Sequence, residues 1–186
     1  MKRLLLVVLA MFVYSGVAAA AVSTEAFISI CRNRTPQDVQ KAIDAGADVN
    51  AKYMNGRTPL MYAAEFNSNP KVLSTLLKAG ANVNAKDYSG LTPLMYAARY
   101  NRSLEATSIL LKARADVDAR GPGRKTPLMY AAEFNRNPDV ISALLKAGSD
   151  PKARDSSGNS VLSYAAKNKA LQVPPVLAEL IKAAKY

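Results

Sequence analysis

Histidine and tryptophan are absent from this chain, and cysteine occurs once, at Cys31, among 186 residues. Without histidine there is no Ser-His-Asp triad, no imidazole acid–base pair and no imidazole metal site. One cysteine permits neither an internal disulfide nor a Cys-x-x-Cys redox or zinc pair. With no base to activate it, Cys31 reads as a small buried hydrophobe and not as a nucleophile. Acids are also scarce: 14 Asp plus Glu face 25 Lys plus Arg, a formal charge of +11. The carboxylates are scattered at positions that turns or solvated faces explain, so a hydrolase finds no paired base and nucleophile. The sequence therefore offers no catalytic residue, no cofactor site and no metal site. What is present suits a globular chain: 49% of residues are apolar, and the length supports one domain with a continuous core. The basic excess points to an acidic partner: nucleic acid, an anionic membrane surface or an acidic protein.

The N-terminus accounts for part of that charge. Lys2 and Arg3 precede an apolar run from Leu4 to Val13, followed by Tyr14, Ser15, Gly16 and the alanines 18–21. A short basic region, an apolar stretch and small residues at an Ala-x-Ala site describe a secretory signal peptide over 1–20, cleaved near Ala20 or Ala21. An uncleaved anchor is the alternative reading, weakened by Ser15 and Gly16. Either way the remainder crosses the membrane, because the positive end stays inside. Export places the protein in the periplasm or outside the cell, in the bacterial manner. Losing Lys2 and Arg3 leaves 23 basic residues against 14 acidic ones, or about +9.

The rest of the chain is a repeat. Thr58-Pro59-Leu60-Met61-Tyr62-Ala63-Ala64 recurs at 92–98 and 126–132, and in degraded form as Ser160-Val161-Leu162-Ser163-Tyr164-Ala165-Ala166. The starting positions 58, 92, 126 and 160 are 34 residues apart. Gly46, Gly80, Arg114 and Gly148 keep the same phase, each closing a Leu-Leu-Lys-Ala-Gly type of segment. Self-similarity at this period means a solenoid of stacked units.

A 34-residue period also fits tetratricopeptide repeats, but those want an early Trp and a Leu-Gly pair, and neither is here. Thr-Pro-Leu followed by Ala-Ala, then Ala79-Gly80-Ala81-Asn82-Val83-Asn84-Ala85, resembles the ankyrin repeat over about residues 24–186. Met61, Met95 and Met129 stand where that family usually has His, and each unit is one residue longer than usual. The resemblance implies an all-α solenoid of about five helix-turn-helix units with β-hairpin fingers. The expected boundaries are a capping unit at 21–57, repeats at 58–91, 92–125 and 126–159, and a C-terminal cap at 160–186.

The residues support that organisation. Thr58, Thr92 and Thr126 suit N-caps, with proline at the first helical position. Asn67, Asn101 and Asn135 suit a left-handed residue ending the first helix. Asn69-Pro70 and Asn137-Pro138 begin the second helix, whose stripe is Val72, Leu73, Leu76 and Leu77. In the last unit Val173-Pro174-Pro175 precedes a helix expected over 176–184. Arg114 replaces the helix-terminating glycine, and Gly121-Pro122-Gly123-Arg124-Lys125 makes an irregular, basic finger. The Tyr ladder at 62, 96, 130 and 164 and the Met ladder at 61, 95 and 129 read as packing between repeats.

By phase with the ankyrin-like pattern, the finger contacts are Tyr53, Met54, Arg57, Tyr88, Leu91, Arg124 and Lys125. The end of the first helix contributes Glu65, Phe66, Arg99, Tyr100, Glu133 and Phe134. Aromatic and Arg side chains are the usual anchors of protein interfaces. The resemblance implies a non-catalytic, monomeric adaptor that binds another protein, favourably an acidic one, in a concave groove. Nucleic acid is disfavoured by export and the lack of a nucleic-acid motif. Membrane contact requires the uncleaved N-terminus, which would make a tethered architectural envelope component instead.

Overall fold

The computed structural model describes residues 22–101, 103–171 and 174–185, without the side chains of 174–176. The expected signal peptide at 1–20, its cleavage position at Ala20/Ala21 and Val173 lie outside the described residues. Among the described residues ten α-helices follow in order: α1 Thr24–Asn33, α2 Pro36–Asp44, α3 Pro59–Phe66, α4 Lys71–Lys78, α5 Pro93–Tyr100, α6 Leu104–Lys112, α7 Pro127–Phe134, α8 Pro138–Lys146, α9 Val161–Ala165 and α10 Pro174–Lys185. They pair as α1/α2 through α9/α10, and the pairs stack. An inner row runs α1, α3, α5, α7, α9 and an outer row α2, α4, α6, α8, α10.

The start of each inner helix follows from its first two residues. Thr58, Thr92 and Thr126 are all extended, and proline occupies the first helical turn. Thr92 and Thr126 Oγ1 accept the N–H of Met95 and Met129 at 3.3 Å. Ser160 caps α9 in the same way, accepting from the Ser163 N–H at 3.4 Å. Six consecutive residues of α3, α5 and α7, from the proline to the second alanine, are buried. A short helix apolar on nearly every side is stable only between neighbours, which is why no unit stands alone. The alanine pairs let inner helices approach more closely than the outer ones, where Val72, Leu73 and Leu76 fill the interval.

The helix-ending asparagines behave differently from expectation. Asn67, Asn101 and Asn135 are extended, with φ of −77°, −85° and −74°. Each is buried and reaches back into the preceding unit. Asn67 Nδ2 donates to the Cys31 and Arg34 carbonyls at 2.8 and 3.1 Å. Asn101 Nδ2 donates to Ala64 at 2.9 Å, and Asn135 Nδ2 to Ala98 and Asn101 at 2.7 and 3.1 Å. Asn168 repeats the contact on Ala132 and Asn135. The carbonyls served lie at or just beyond helix ends, where intrahelical donors run out. Asparagine clamps units together through its Nδ2 and turns the chain through its Oδ1, which in Asn67, Asn101 and Asn135 accepts the N–H two residues on at 2.8 Å.

A second clamp runs along the outer turns. Asn50, Asn84 and Asp118 accept the N–H of Asn82, Asp116 and Asp150 at 2.8, 2.8 and 3.0 Å. The outer helices end as the phase requires: Gly46, Gly80 and Gly148 have φ of 90°, 91° and 93°, and Arg114 takes the same left-handed place at 62°. At the last helix the expected boundary moves. Pro174 and Pro175 form the first turn of α10 and do not precede it, because proline is at home at the first helical positions.

Among the described residues there is no β-strand, and each finger is a loop closed by one rung. The Tyr53, Asp87, Gly121 and Asp155 N–H groups donate to the carbonyls four residues on, at 2.9, 3.1, 3.0 and 3.1 Å. Isolated bridges at Tyr53–Arg57 and Arg154–Ser160 are all that corresponds to the expected hairpins.

Candidate protein-binding groove

The four fingers are of two kinds, and they alternate. At 52–57 and 120–125 the chain makes a short 3-10 turn, Met54–Gly56 and Pro122–Arg124. Asn55 and Gly56 have φ of 60° and 77°, and Gly123 and Arg124, 68 residues later, have 63° and 60°. The finger at 120–125 is therefore not irregular: it is the first finger repeated two units on. Fingers at 86–91 and 154–159 instead fold around Asp87 and Asp155. Asp87 accepts from the N–H of Ser89 and Leu91 at 2.9 and 2.8 Å and from the Tyr96 hydroxyl at 2.7 Å. Asp155 accepts from the Ser157 and Asn159 N–H groups, both at 2.8 Å, and from Tyr164.

The two kinds dock on each other. The Tyr88 N–H donates to the Asn55 carbonyl at 2.9 Å, and the Ser156 N–H to the Gly123 carbonyl at 2.8 Å. In the first pair the Tyr88 ring covers Gly56 so closely that a Cβ there would collide with it. In the second pair Ser156 is small, and an arginine, Arg124, occupies the glycine's place. The repeating structural unit of the finger edge is thus two repeats long.

Burial and the same hydrogen bonds set the electrostatics. Asp155 is held well below the usual carboxylate range by the Tyr164 hydrogen bond, with further help from Asn159 and Ser157 outweighing burial. Tyr96 is pushed up, by burial first and by its bond to Asp87 second. Burial also raises Tyr130 and Tyr164. Lys125 would be lowered by burial, but its hydrogen bonds to Glu133 and Tyr164 prevail and hold it above its ordinary value. Cys31 is fully buried, and burial pushes its thiol up to about 12, so it stays protonated at neutral pH.

The expected contact residues fall into three situations. Met54 and Tyr88, at 66% and 77% exposure, stand out at the finger tips with exposed Arg124, while Tyr53 and Leu91 are half-buried. Phe66, Tyr100 and Phe134 line up at the ends of α3, α5 and α7, exposed by 43%, 45% and 42%. Arg57 and Lys125 do not project. Arg57 pairs with Glu65, and Lys125 with Glu133 at 2.6 Å, each turned in from the finger onto the helix end. The Arg57 guanidinium lies over the Tyr62 and Tyr96 rings at 4.1 and 4.2 Å, and Lys125 lies over Tyr164 at 4.5 Å. Arg99 lies against Tyr100 and Phe134 at 4.7 and 4.4 Å.

One further cation belongs to this row. Arg32 sits over Phe66 at 4.4 Å and over Tyr62 at 6.0 Å. The signal for it is the 34-residue phase, which puts Arg32 in the same column as Phe66, Tyr100 and Phe134. Together these groups form a groove floor in which cations and aromatic rings interleave. Such a surface presents flat, rigid anchors and fixed charge at low conformational cost.

A stack of helix pairs with short fingers and one continuous inner surface is a repeat solenoid, the architecture of a scaffold for contacts. Residues 27–121 match the family described as ankyrin repeats (3 copies), and residues 110–165 match ankyrin repeats (many copies). The chain belongs to the ankyrin-repeat family. No curated protein matches it. Ankyrin repeats generally mediate protein–protein interaction and are typically not catalytic.

Proposed function

We propose that this protein is an exported, non-catalytic adaptor that holds a partner protein in its groove. The observation that carries the reading is the register of Phe66, Tyr100 and Phe134: three rings, one per unit, each more than two-fifths exposed on a rigid helix end. Solvating three aligned rings is unfavourable, and a partner surface relieves it. The charge of about +9 that remains after cleavage, 23 basic against 14 acidic residues, makes an acidic protein the favoured partner. Export rests on the composition of residues 1–20, and the reading adopts cleavage near Ala20. Among the described residues no helix is long and apolar enough to cross a membrane.

The test is affinity capture from cell-envelope extracts by the wild-type protein and by a variant with Phe66, Tyr100 and Phe134 all changed to Ser. Loss of capture with an unchanged circular dichroism melt is expected. Capture by the variant at wild-type level refutes the groove. The intact mass of the cellular protein decides the N-terminus: a full-length species held in membranes would replace the adaptor by a tethered envelope component.

A further inference from the structure

Two columns of side chains meet in the groove, one from the fingers and one from the helix ends. The finger column reads Arg57, Leu91, Lys125, and the helix-end column reads Glu65, Arg99, Glu133. In the outer two of these three units the finger cation finds a helix-end carboxylate. In the middle unit the finger offers Leu91, and the cation is on the helix. Among the described residues Arg99 makes no ion pair and no hydrogen bond, and its Nε is buried without a partner. Its guanidinium rests between Tyr100 and Phe134 and opens onto a cleft of about 220 Å³ that exposed Arg136 also lines.

A guanidinium cannot shed its charge on burial, and a planar fork with an unused donor is built to take a carboxylate. The finger cations Arg57 and Lys125 are neutralised within the chain, whereas Arg99 and neighbouring Arg136 have no carboxylate partner among the described residues, so the middle of the groove keeps an unmet demand for negative charge. The groove continues on both sides of Arg99, to Phe66 in one direction and to Phe134 and Lys125 in the other. A ligand there passes through and does not terminate.

We propose that Arg99 receives the carboxylate of an Asp or Glu side chain in a partner polypeptide lying along the groove. Apolar side chains on either side of that acid rest on Phe66 and Phe134. This rests on the groove reading above and adds to it the chemistry of the central contact.

The experiment selects short random peptides from a display library on four immobilised proteins: wild type, R99Q, R99E and F66S/Y100S/F134S. Thermal melts confirm that each is folded, and R99Q removes the charge while keeping an unbranched stem with a polar, hydrogen-bonding end. Wild type is expected to select peptides with an acid at one fixed position beside an apolar residue. R99Q should bind them roughly ten- to a hundredfold more weakly. R99E should reverse the choice to Lys or Arg at that position, a swap that loss of packing alone cannot produce. An acidic preference that survives in R99E overturns the assignment to Arg99. Selected peptides with no fixed acid that nevertheless fail on the triple variant overturn this inference and leave the groove standing. Peptides that bind the triple variant undiminished remove the groove itself. If no peptide is selected and anionic lipid vesicles bind through Arg99 instead, both readings fall.

Discussion

The fingers at 52–57 and 86–91 are adjacent units of one repeat, yet they are stabilised by opposite charges. The first turns a cation inward: Arg57 leaves the tip and lies across two tyrosine rings against Glu65. The second buries an anion: Asp87 gathers two backbone N–H groups of its own loop and the Tyr96 hydroxyl. An inward Asp solves the loop's hydrogen bonds locally, so that finger is self-contained. An inward Arg leaves the loop backbone to fend for itself, with a left-handed Asn-Gly pair and the next finger's N–H as support. The cationic finger depends on its neighbour, and the acidic one supplies that support. Residues 120–125 and 154–159 repeat the arrangement with Lys125 and Asp155.

Removing the acid should do the greatest damage. Asp87→Ala strands two loop N–H groups and a buried hydroxyl, a loss of about 3 kcal/mol in urea unfolding. A loss below about 1 kcal/mol would mean that the acidic finger is not self-contained. The same contrast should titrate. Asp155 has a depressed pKa, so its contribution is complete above the unfolded value near 4 and disappears as pH falls through the folded one. Melting temperatures taken downward from pH 6 should drop below about pH 4, and Asp155→Asn should flatten that part of the profile. A wild-type slope retained in the variant would assign the acid sensitivity elsewhere.

Gly56→Ala confronts a φ of 77° and the Tyr88 ring together, for about 2 kcal/mol. Adding Tyr88→Ser recreates the Ser156 environment and should recover the steric half, leaving about 1 kcal/mol of backbone strain. No recovery in that double variant would deny the equivalence of the two finger pairs. The smallest effect is a gain. Arg124→Gly relieves a left-handed arginine at φ 60° and should stabilise by up to about 1 kcal/mol in thermal unfolding. An unchanged or lowered melting temperature would show that Arg124 is held there by contacts worth more than the strain.

Much of this was legible from residue order. The Thr-Pro starts, the buried Met and Tyr ladders and the phase of Arg114 all follow from local chemistry that repeats every 34 residues. Three features did not. Asparagine after a helix suits both a left-handed turn and an extended clamp, and only the position of the preceding unit's carbonyls decides between them. Arg57 and Lys125 have the composition of projecting contacts, but a carboxylate eight residues on turns them inward. The pairing of fingers is written in Asn55-Gly56 and Gly123-Arg124, two periods apart, where a comparison of neighbouring units sees only disagreement. Thirteen groove residues were placed by phase, and the structure brings most of them to one face. Their contribution to binding is what the capture and selection experiments measure.

The asparagine clamps have a direction. Asn67, Asn101, Asn135 and Asn168 each reach toward the N-terminus, onto carbonyls of the unit before. A chain that emerges N-terminus first, from a ribosome or a translocation pore, therefore always meets a finished acceptor. Through these clamps each new unit latches onto one already in place, while the outer turns and the cationic fingers are completed only when the next unit arrives.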